Sequence, residues 1–232
     1  MENQHQEPPR ARSMGDDGLV EAVTGPGCPM CAHVATVAPQ YLDSLLYQHT
    51  TDRAYRDRFI AGGGFCGRHV RAAVVADTAG NGDGVGGGIF LRSQLAARRR
   101  ALEDAGGFRA AKRIREATRT AWDCPVCENE QTLAAAAARR LVDLARDDGT
   151  WRAWVTFAPW CLAHLGDVLA AAAVSGRGTL ADLRDRQLSQ MHEIEARLEA
   201  LAHDSTHDRR DAVTPEVRAS VKDAADILAG DG

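Results

Sequence analysis

Two short motifs, Cys124-Pro-Val-Cys127 and Cys161-Leu-Ala-His164, carry the strongest signal in the chain because the same pair occurs once before them. The earlier pair is Cys28-Pro-Met-Cys31 and Cys66-Gly-Arg-His69. Each copy reads C-P-x-C, a long interval and C-x-x-H, and corresponding residues of the two copies lie 95 or 96 positions apart. All six cysteines belong to this pattern. The pattern predicts an internal repeat of a metal-binding unit.

The residue types and their spacing are typical of zinc. Tetrahedral zinc prefers thiolate and imidazole ligands, and proteins often supply them in closely spaced pairs such as C-x2-C and C-x2-H. Two Cys3His sites, and therefore two zinc ions, are predicted from eight ligands: Cys28, Cys31, Cys66, His69, Cys124, Cys127, Cys161 and His164. The simplest arrangement closes one site within each repeat, although the repeats could exchange ligands. Iron or an iron–sulfur cluster is the alternative, since three cysteines and a histidine also suit it.

The metal-binding motifs are predicted at the starts of helices. Pro29 and Pro125 suit a first helical position, where a missing N–H costs no hydrogen bond. The free N–H groups of a helix start stabilise thiolates. Four protein ligands leave no open position on the metal, which indicates a structural site rather than a catalytic one. Asp123 and Glu128 are candidates to orient the ligands of the second copy, and His33 is a candidate spare ligand with a surface position as its alternative.

Hydrophobic spacing predicts an all-α fold. Apolar residues recur with a helical period, and no stretch alternates convincingly with a period of two. The predicted organisation is a disordered lead (1–17), a first helical repeat (18–79), a Gly-rich linker with a basic helical connector (80–121), a second repeat (122–178), an amphipathic helix (179–204), and a linker with a C-terminal helix (205–232). Thr214-Pro215-Glu216 is a start signal for that last helix, and Gly230 is a stop signal.

Charge is uneven along the chain. The whole protein carries a net charge of −4, with 26% charged and 44% hydrophobic residues, which is ordinary for a globular protein. Between Arg92 and Arg119, however, nine basic residues face only three acidic ones. This basic connector predicts an acidic partner or pairing with acidic helices of the same chain. Nucleic acid is the weaker alternative, because a single aromatic residue, Phe108, lies among the arginines to stack on bases.

Location and assembly follow from the apolar segments. The polar stretch from Met1 to Asp17 has no signal-peptide core and no run is long enough for a membrane span, so a cytoplasmic protein is predicted. Reduced cysteines in that compartment hold metal more often than they form disulfides. An apolar seam interrupted by Gln187 could form a dimer or pack within the chain. The seam consists of Leu180, Leu183, Met191, Ile194, Leu198 and Leu201.

Taken together, the motifs resemble a family of uncharacterised bacterial proteins that carry duplicated C-P-x-C and C-x-x-H motifs and a domain-of-unknown-function label. The resemblance spans roughly Cys28 to Gly230. It rests on these stretches: Cys28-Pro-Met-Cys31, Tyr41-Leu-Asp-Ser-Leu-Leu46, Gly64-Phe-Cys-Gly-Arg-His69, Cys124-Pro-Val-Cys127, Trp160-Cys-Leu-Ala-His164 and Ile227-Leu-Ala-Gly230. It implies metal ligands at the eight positions and says little about a reaction.

The function predicted from the residues is that of a zinc-binding helical protein with a binding or regulatory role. No Ser/His/Asp set, paired acid–base carboxylates or nucleotide fingerprint stands out, which favours this role over an enzyme. The alternative is an iron or iron–sulfur protein that uses the Cys3His sites for redox chemistry, electron transfer or catalysis. A nucleic-acid adaptor that binds through the basic connector comes third.

Overall fold

A computed structural model of the protein describes residues 7–79, 84–104, 112, 114, 123–175, 178–204 and 214–230. Most of these residues are helical and none of them lies in a strand, which confirms the all-α prediction. No described helix combines the length and the apolar character needed to cross a bilayer. The α-helices are α1 (Asp17–Thr24), α2 (Pro29–Gln48), α3 (Arg53–Ala61), α4 (Gly67–Ala79), α5 (Val85–Glu103), α6 (Pro125–Asp147), α7 (Gly149–Phe157), α8 (Leu162–Ser175), α9 (Gly178–Asp204) and α10 (Pro215–Ala229).

Local sequence explains where several helices begin. Both prolines of the C-P-x-C motifs are the first residues of long helices, α2 and α6, as predicted. Asp52 caps α3, where its carboxylate accepts a hydrogen bond from the N–H of Tyr55 at 3.0 Å. Asp148 caps α7 in the same way and accepts a hydrogen bond from the N–H of Thr150 at 2.8 Å. Thr214 caps α10, and Gly230 ends it with a φ of 77°. The start and stop signals of the last helix are therefore confirmed.

The two repeats have matching helices. Each contains a long helix (α2 or α6), a nine-residue helix (α3 or α7) and a helix that follows the C-x-x-H motif (α4 or α8). The aromatic residue before the third ligand is Phe65 in one repeat and Trp160 in the other, and both are almost fully buried. An aromatic anchor thus fixes the backbone next to Cys66 and next to Cys161.

The chain divides into two compact units that do not coincide with the repeats. We call Met1–Val34 together with Leu133–Gly232 the terminal unit, and Ala35–Thr132 the central unit. The predicted boundaries instead kept each repeat in one piece, over 18–79 and 122–178. The difference arises because α2 begins in the terminal unit and ends in the central unit, while α6 does the reverse.

The terminal unit has a core of tryptophan and aliphatic side chains from α1, α6, α7, α8 and α9. Leu183 of the α9 seam packs into this core, and Ile194 of the seam is buried as well. Gln187 is buried too, and its Nε2 donates a hydrogen bond to the carbonyl of Trp160 at 3.2 Å. The polar residue that interrupts the seam therefore has a partner inside the unit. The side chain of Leu180 lies outside the described part of the helix.

Residues 7–16 contact other parts of the terminal unit, although the sequence predicts a disordered lead for 1–17. The indole N–H of Trp151 donates to the carbonyl of Arg10 at 3.0 Å. Asp16 is only 1% exposed and accepts two hydrogen bonds, each 2.7 Å long, from the guanidinium of Arg140. The prediction missed these contacts because they are made by backbone carbonyls and one ion pair. Contacts of this kind leave no apolar pattern in the sequence. The start of the lead lies outside the described residues.

The central unit is built around Phe59, Phe65 and Phe90, whose ring centroids lie 4.7 to 6.0 Å apart. Part of the predicted Gly-rich linker belongs to this unit, because α5 begins at Val85. The N–H of Gly87 donates to Asp77 at 2.8 Å, so a carboxylate of α4 caps the start of α5. The rest of the linker (80–83) and most of the basic connector beyond Asp104 lie outside the described residues.

Candidate metal centre

The eight predicted ligands come together in two groups of four, and each group takes its ligands from both repeats. The terminal site consists of Cys28, Cys31, Cys161 and His164, and the central site consists of Cys66, His69, Cys124 and Cys127. Within each group the four ligand atoms all lie within 4.8 Å of one another, so each group could hold one metal ion. The expectation that each repeat closes its own site is therefore wrong.

The lengths of the helices explain this exchange. From the first C-P-x-C motif the 20 residues of α2 carry the chain about 30 Å, at about 1.5 Å per residue. The nine residues of α3 span about 14 Å, which is less than half of that distance. The second repeat repeats this asymmetry, with 23 residues in α6 and nine in α7. The C-x-x-H motif of each repeat therefore lies far from the C-P-x-C motif, which stands at the start of the long helix of the same repeat.

The central site is compact and largely buried. His69, which is 3% exposed, places Nδ1 3.3 Å from the sulfur of Cys66 and 3.3 Å from each sulfur of Cys124 and Cys127. The sulfurs of Cys66 and Cys127 are 3.7 Å apart. The site joins the segment that starts α4 to the segment that starts α6, as expected of motifs at helix N-termini.

A carboxylate that the sequence interpretation missed supports the central site. Glu130 Oε1 lies 3.2 Å from His69 Nε2, on the side of the ring opposite the sulfurs. Arg68 donates to both oxygens of Glu130 and so fixes its orientation. A carboxylate on the distal nitrogen sets the tautomer and the orientation of a ligand histidine. The signal was present, because Glu130 follows Cys127 by three residues and therefore shares its face of α6.

The terminal site repeats this arrangement with different support. His164 Nδ1 lies 3.6 Å from the sulfur of Cys28, 3.4 Å from that of Cys31 and 3.2 Å from that of Cys161. The sulfurs of Cys31 and Cys161 are 3.9 Å apart. The site joins the start of α2 to the start of α8. Among the described residues, no side chain lies against His164 in the way that Glu130 lies against His69.

The C-terminal end of α10 closes over the terminal site. A Cβ added to Gly230 would lie 2.7 Å from the sulfur of Cys31 and 3.3 Å from that of Cys161. Only a glycine permits this approach, and the positive φ of Gly230 requires one as well. The sequence analysis identified Gly230 as a helix stop and did not foresee its contact with the sulfurs.

Burial and crowding shift the pKa values of several ligand side chains, in opposite directions for the two histidines. Burial lowers the pKa of His69, which favours the neutral imidazole that binds metal. Burial also raises the pKa of Cys127 to about 12, with the neighbouring Cys124 adding to the shift. In the terminal site a hydrogen bond to Cys161 raises the pKa of His164 to about 10. Thiols and imidazoles bind a metal in their deprotonated forms, so binding of a divalent cation to either group would release protons.

The remaining candidates of the sequence analysis lie outside the two groups. His33 is half-buried against Gly18, where burial lowers its pKa, and it is not a member of the terminal site. Asp123 is exposed, and its backbone N–H donates to the carbonyl of Gly62. Glu128 is exposed as well. The carboxylate in contact with a ligand histidine is thus Glu130 rather than either predicted one.

Comparison with known protein families, with curated proteins and with solved structures finds no match to this chain. The family resemblance suggested by the motifs therefore stays a prediction. What the protein binds has to be inferred from its own geometry.

Proposed function

We propose that the protein is a zinc-stabilised helical binding protein, in which two Cys3His zinc ions hold the helices together and take no part in a reaction. The observation that carries this proposal is the spacing of the ligand atoms in the two groups. The spacing suits one tetrahedral ion at each site, and all four positions around that ion are filled by the protein.

The expected spacing follows from bond lengths. Zinc–sulfur bonds of about 2.3 Å at tetrahedral angles place two sulfurs about 3.8 Å apart, and a zinc–nitrogen bond of about 2.0 Å places nitrogen and sulfur about 3.5 Å apart. The sulfurs of Cys66 and Cys127 are 3.7 Å apart, and those of Cys31 and Cys161 are 3.9 Å apart. The nitrogen–sulfur distances range from 3.2 to 3.6 Å. An iron–sulfur cluster contains several metal atoms between its ligands and needs more room, so this spacing favours a single ion.

A structural role follows from the closed coordination. Catalytic zinc sites keep one position for water or substrate, whereas structural sites use four protein ligands. Each site here ties the starts of two helices from different repeats. Structural zinc contributes on the order of 10 kcal/mol of apparent folding free energy in small domains, and we expect the packing of both units to depend on it.

The binding role is supported by charge. Arg92 and Arg100 on α5 are exposed, and their side chains have no partner among the described residues. Two other arginines of α5 make contacts within the protein: Arg98 donates a hydrogen bond to the carbonyl of Gly63, and Arg99 forms an ion pair with Glu103. We therefore propose an acidic protein partner that contacts the exposed face of α5.

The test is elemental analysis of protein purified without added metal, combined with absorption spectroscopy and a chelation series on the same sample. We expect about two zinc ions per chain, a colourless solution and loss of helical circular dichroism when zinc is removed. Visible charge-transfer bands with bound iron would support the redox alternative instead. Full helicity and an unchanged melting temperature after complete chelation would rule out the structural role.

A further inference from the structure

The central unit contains a cavity of about 810 Å³ beside its metal site. Its walls come from three helices of this unit: α2, α4 and the first turns of α6. Cavities of this size hold small organic molecules. Two members of the metal centre, His69 and Glu130, form part of the wall, so an ion in the central site would hold this wall in place.

The body of the cavity is apolar and is lined by small side chains. Ala38, Ala72 and Ala76 leave the space open, and Leu42 and Val126 form a buried apolar floor. An apolar concave surface in contact with water is stabilised by an occupant that removes it from water. The occupant therefore needs an apolar body.

The polar groups around the cavity are mainly hydrogen-bond acceptors. Asp43 is exposed, and its carboxylate has no partner among the described residues. The only cationic group on the lining, the guanidinium of Arg68, is already engaged by both oxygens of Glu130. The lining thus carries two carboxylates and one guanidinium, which gives these three groups a net charge of −1.

A proline in α2 also removes one helical hydrogen-bond donor next to the cavity. Pro39 lies inside this helix and has no N–H to donate to the carbonyl of Ala35. Both residues line the cavity. A ligand that supplies hydrogen-bond donors and positive charge complements this lining, whereas an anionic ligand meets Asp43 and Glu130.

We propose that this cavity binds an apolar molecule that carries one cationic group, such as a protonated long-chain amine, with its body on the apolar floor and its charge beside Asp43. This rests on the proposed binding function and names the chemical class of one ligand. The acidic partner proposed for α5 is a separate binding event, because it depends on arginines that do not line the cavity.

The test is isothermal titration of the full-length, zinc-loaded protein with three probes of equal chain length below their micelle concentrations: n-decylamine, n-decanol and n-decanoate. We expect decylamine to bind most tightly and decanoate most weakly. Equal affinities, or tightest binding of decanoate, would overturn the assigned charge. Absence of decylamine binding would overturn the site.

Variants locate the binding. Asp43→Asn should weaken decylamine about fivefold, as for an exposed ion pair, and leave decanol unchanged. The control Asp57→Asn removes an exposed carboxylate of α3 in the same unit and should change neither probe. Ala76→Phe fills the cavity and should abolish binding of both probes, while Ala54→Phe on α3 should not. Unchanged decylamine binding in a folded Ala76→Phe protein would overturn the assignment.

Metal analysis of the same samples separates the two proposals. A chain that holds about two zinc ions and binds no decylamine refutes the cavity assignment alone. A chain that folds without zinc and still binds decylamine refutes the structural role of zinc and leaves the cavity assignment supported. If Ala76→Phe does not fold, the probe series and Asp43→Asn still decide the assignment.

Discussion

Replacing Gly230 by alanine should open the terminal metal site and leave the central one intact. The added methyl group would lie 2.7 Å from the sulfur of Cys31, whereas ordinary contacts begin near 3.4 Å. The sulfur or the end of α10 must therefore move by roughly 0.7 Å. Metal–ligand distances tolerate only about 0.2 Å, so the site loses its geometry where the sulfur, rather than the end of α10, takes this shift.

Two effects contribute to the expected change. Alanine at the backbone conformation of Gly230, with a φ of 77°, costs about 1–3 kcal/mol of stability, because this region is essentially restricted to glycine. Displacement of a ligand sulfur should lower zinc affinity at the terminal site by about tenfold or more. Losses of this size are typical when residues that orient the ligands of a zinc site are replaced.

The assay is zinc retained per chain during competition with a chelator of known affinity. We expect Gly230→Ala to release one zinc ion early and to keep the second like the unmodified protein. Gly84→Ala is a matched control, since Gly84 also has a positive φ, 76°, but no atom within 4 Å of an added Cβ. If Gly230→Ala retains both ions as firmly as Gly84→Ala, the proposed contact between α10 and the terminal site is refuted.

Three further changes test other parts of the structure. Glu130→Gln should weaken zinc binding at the central site about 10–100-fold in the same chelator assay, because the ligand histidine loses its carboxylate partner; no change would show that this contact is unimportant. Asp16→Asn should lower the free energy of unfolding by about 2 kcal/mol at neutral pH, because the buried carboxylate that accepts two charge-assisted hydrogen bonds from Arg140 is lost. The pKa of Asp16 is depressed by Arg140, so this contribution is complete above about pH 4 and is lost as the pH falls further. Denaturant unfolding of both proteins should therefore show a difference in the free energy of unfolding that becomes smaller in acid. A difference that does not change with pH would contradict the ion pair. Gln187→Leu should cost about 1–3 kcal/mol in thermal unfolding by leaving the buried carbonyl of Trp160 unpaired, and a variant of unchanged or higher stability would contradict this role.

The ligand set could be predicted from the sequence because cysteine and histidine spacing reflects the coordination geometry itself. The same holds for helix starts at Pro29, Pro125 and Asp52, where the chemistry of a few adjacent residues decides the conformation. These features are local, and the structure agrees with the predictions made from them. The all-α fold follows similarly from hydrophobic spacing over one or two turns.

What could not be predicted depends on contacts between distant residues. Pairing of the motifs across the repeats follows from the difference in length between α2 and α3, which becomes clear only when the helix bounds are known. Gly230 and Cys31, which meet at the terminal site, lie nearly 200 positions apart in the chain. The ion pair between Asp16 and Arg140 involves a segment whose composition is typical of disorder.

The central claim is that each metal ion is held by ligands from both repeats, and Cys161→Ser tests it most directly. The measurement is the site of thiol alkylation, read by mass spectrometry after mild chelation, together with the zinc content. Exchange of ligands between the repeats predicts one zinc ion per chain and selective alkylation of Cys28 and Cys31, which lose their partner in the terminal site. Selective alkylation of Cys124 and Cys127 instead would mean that each repeat closes its own site and would contradict the structure.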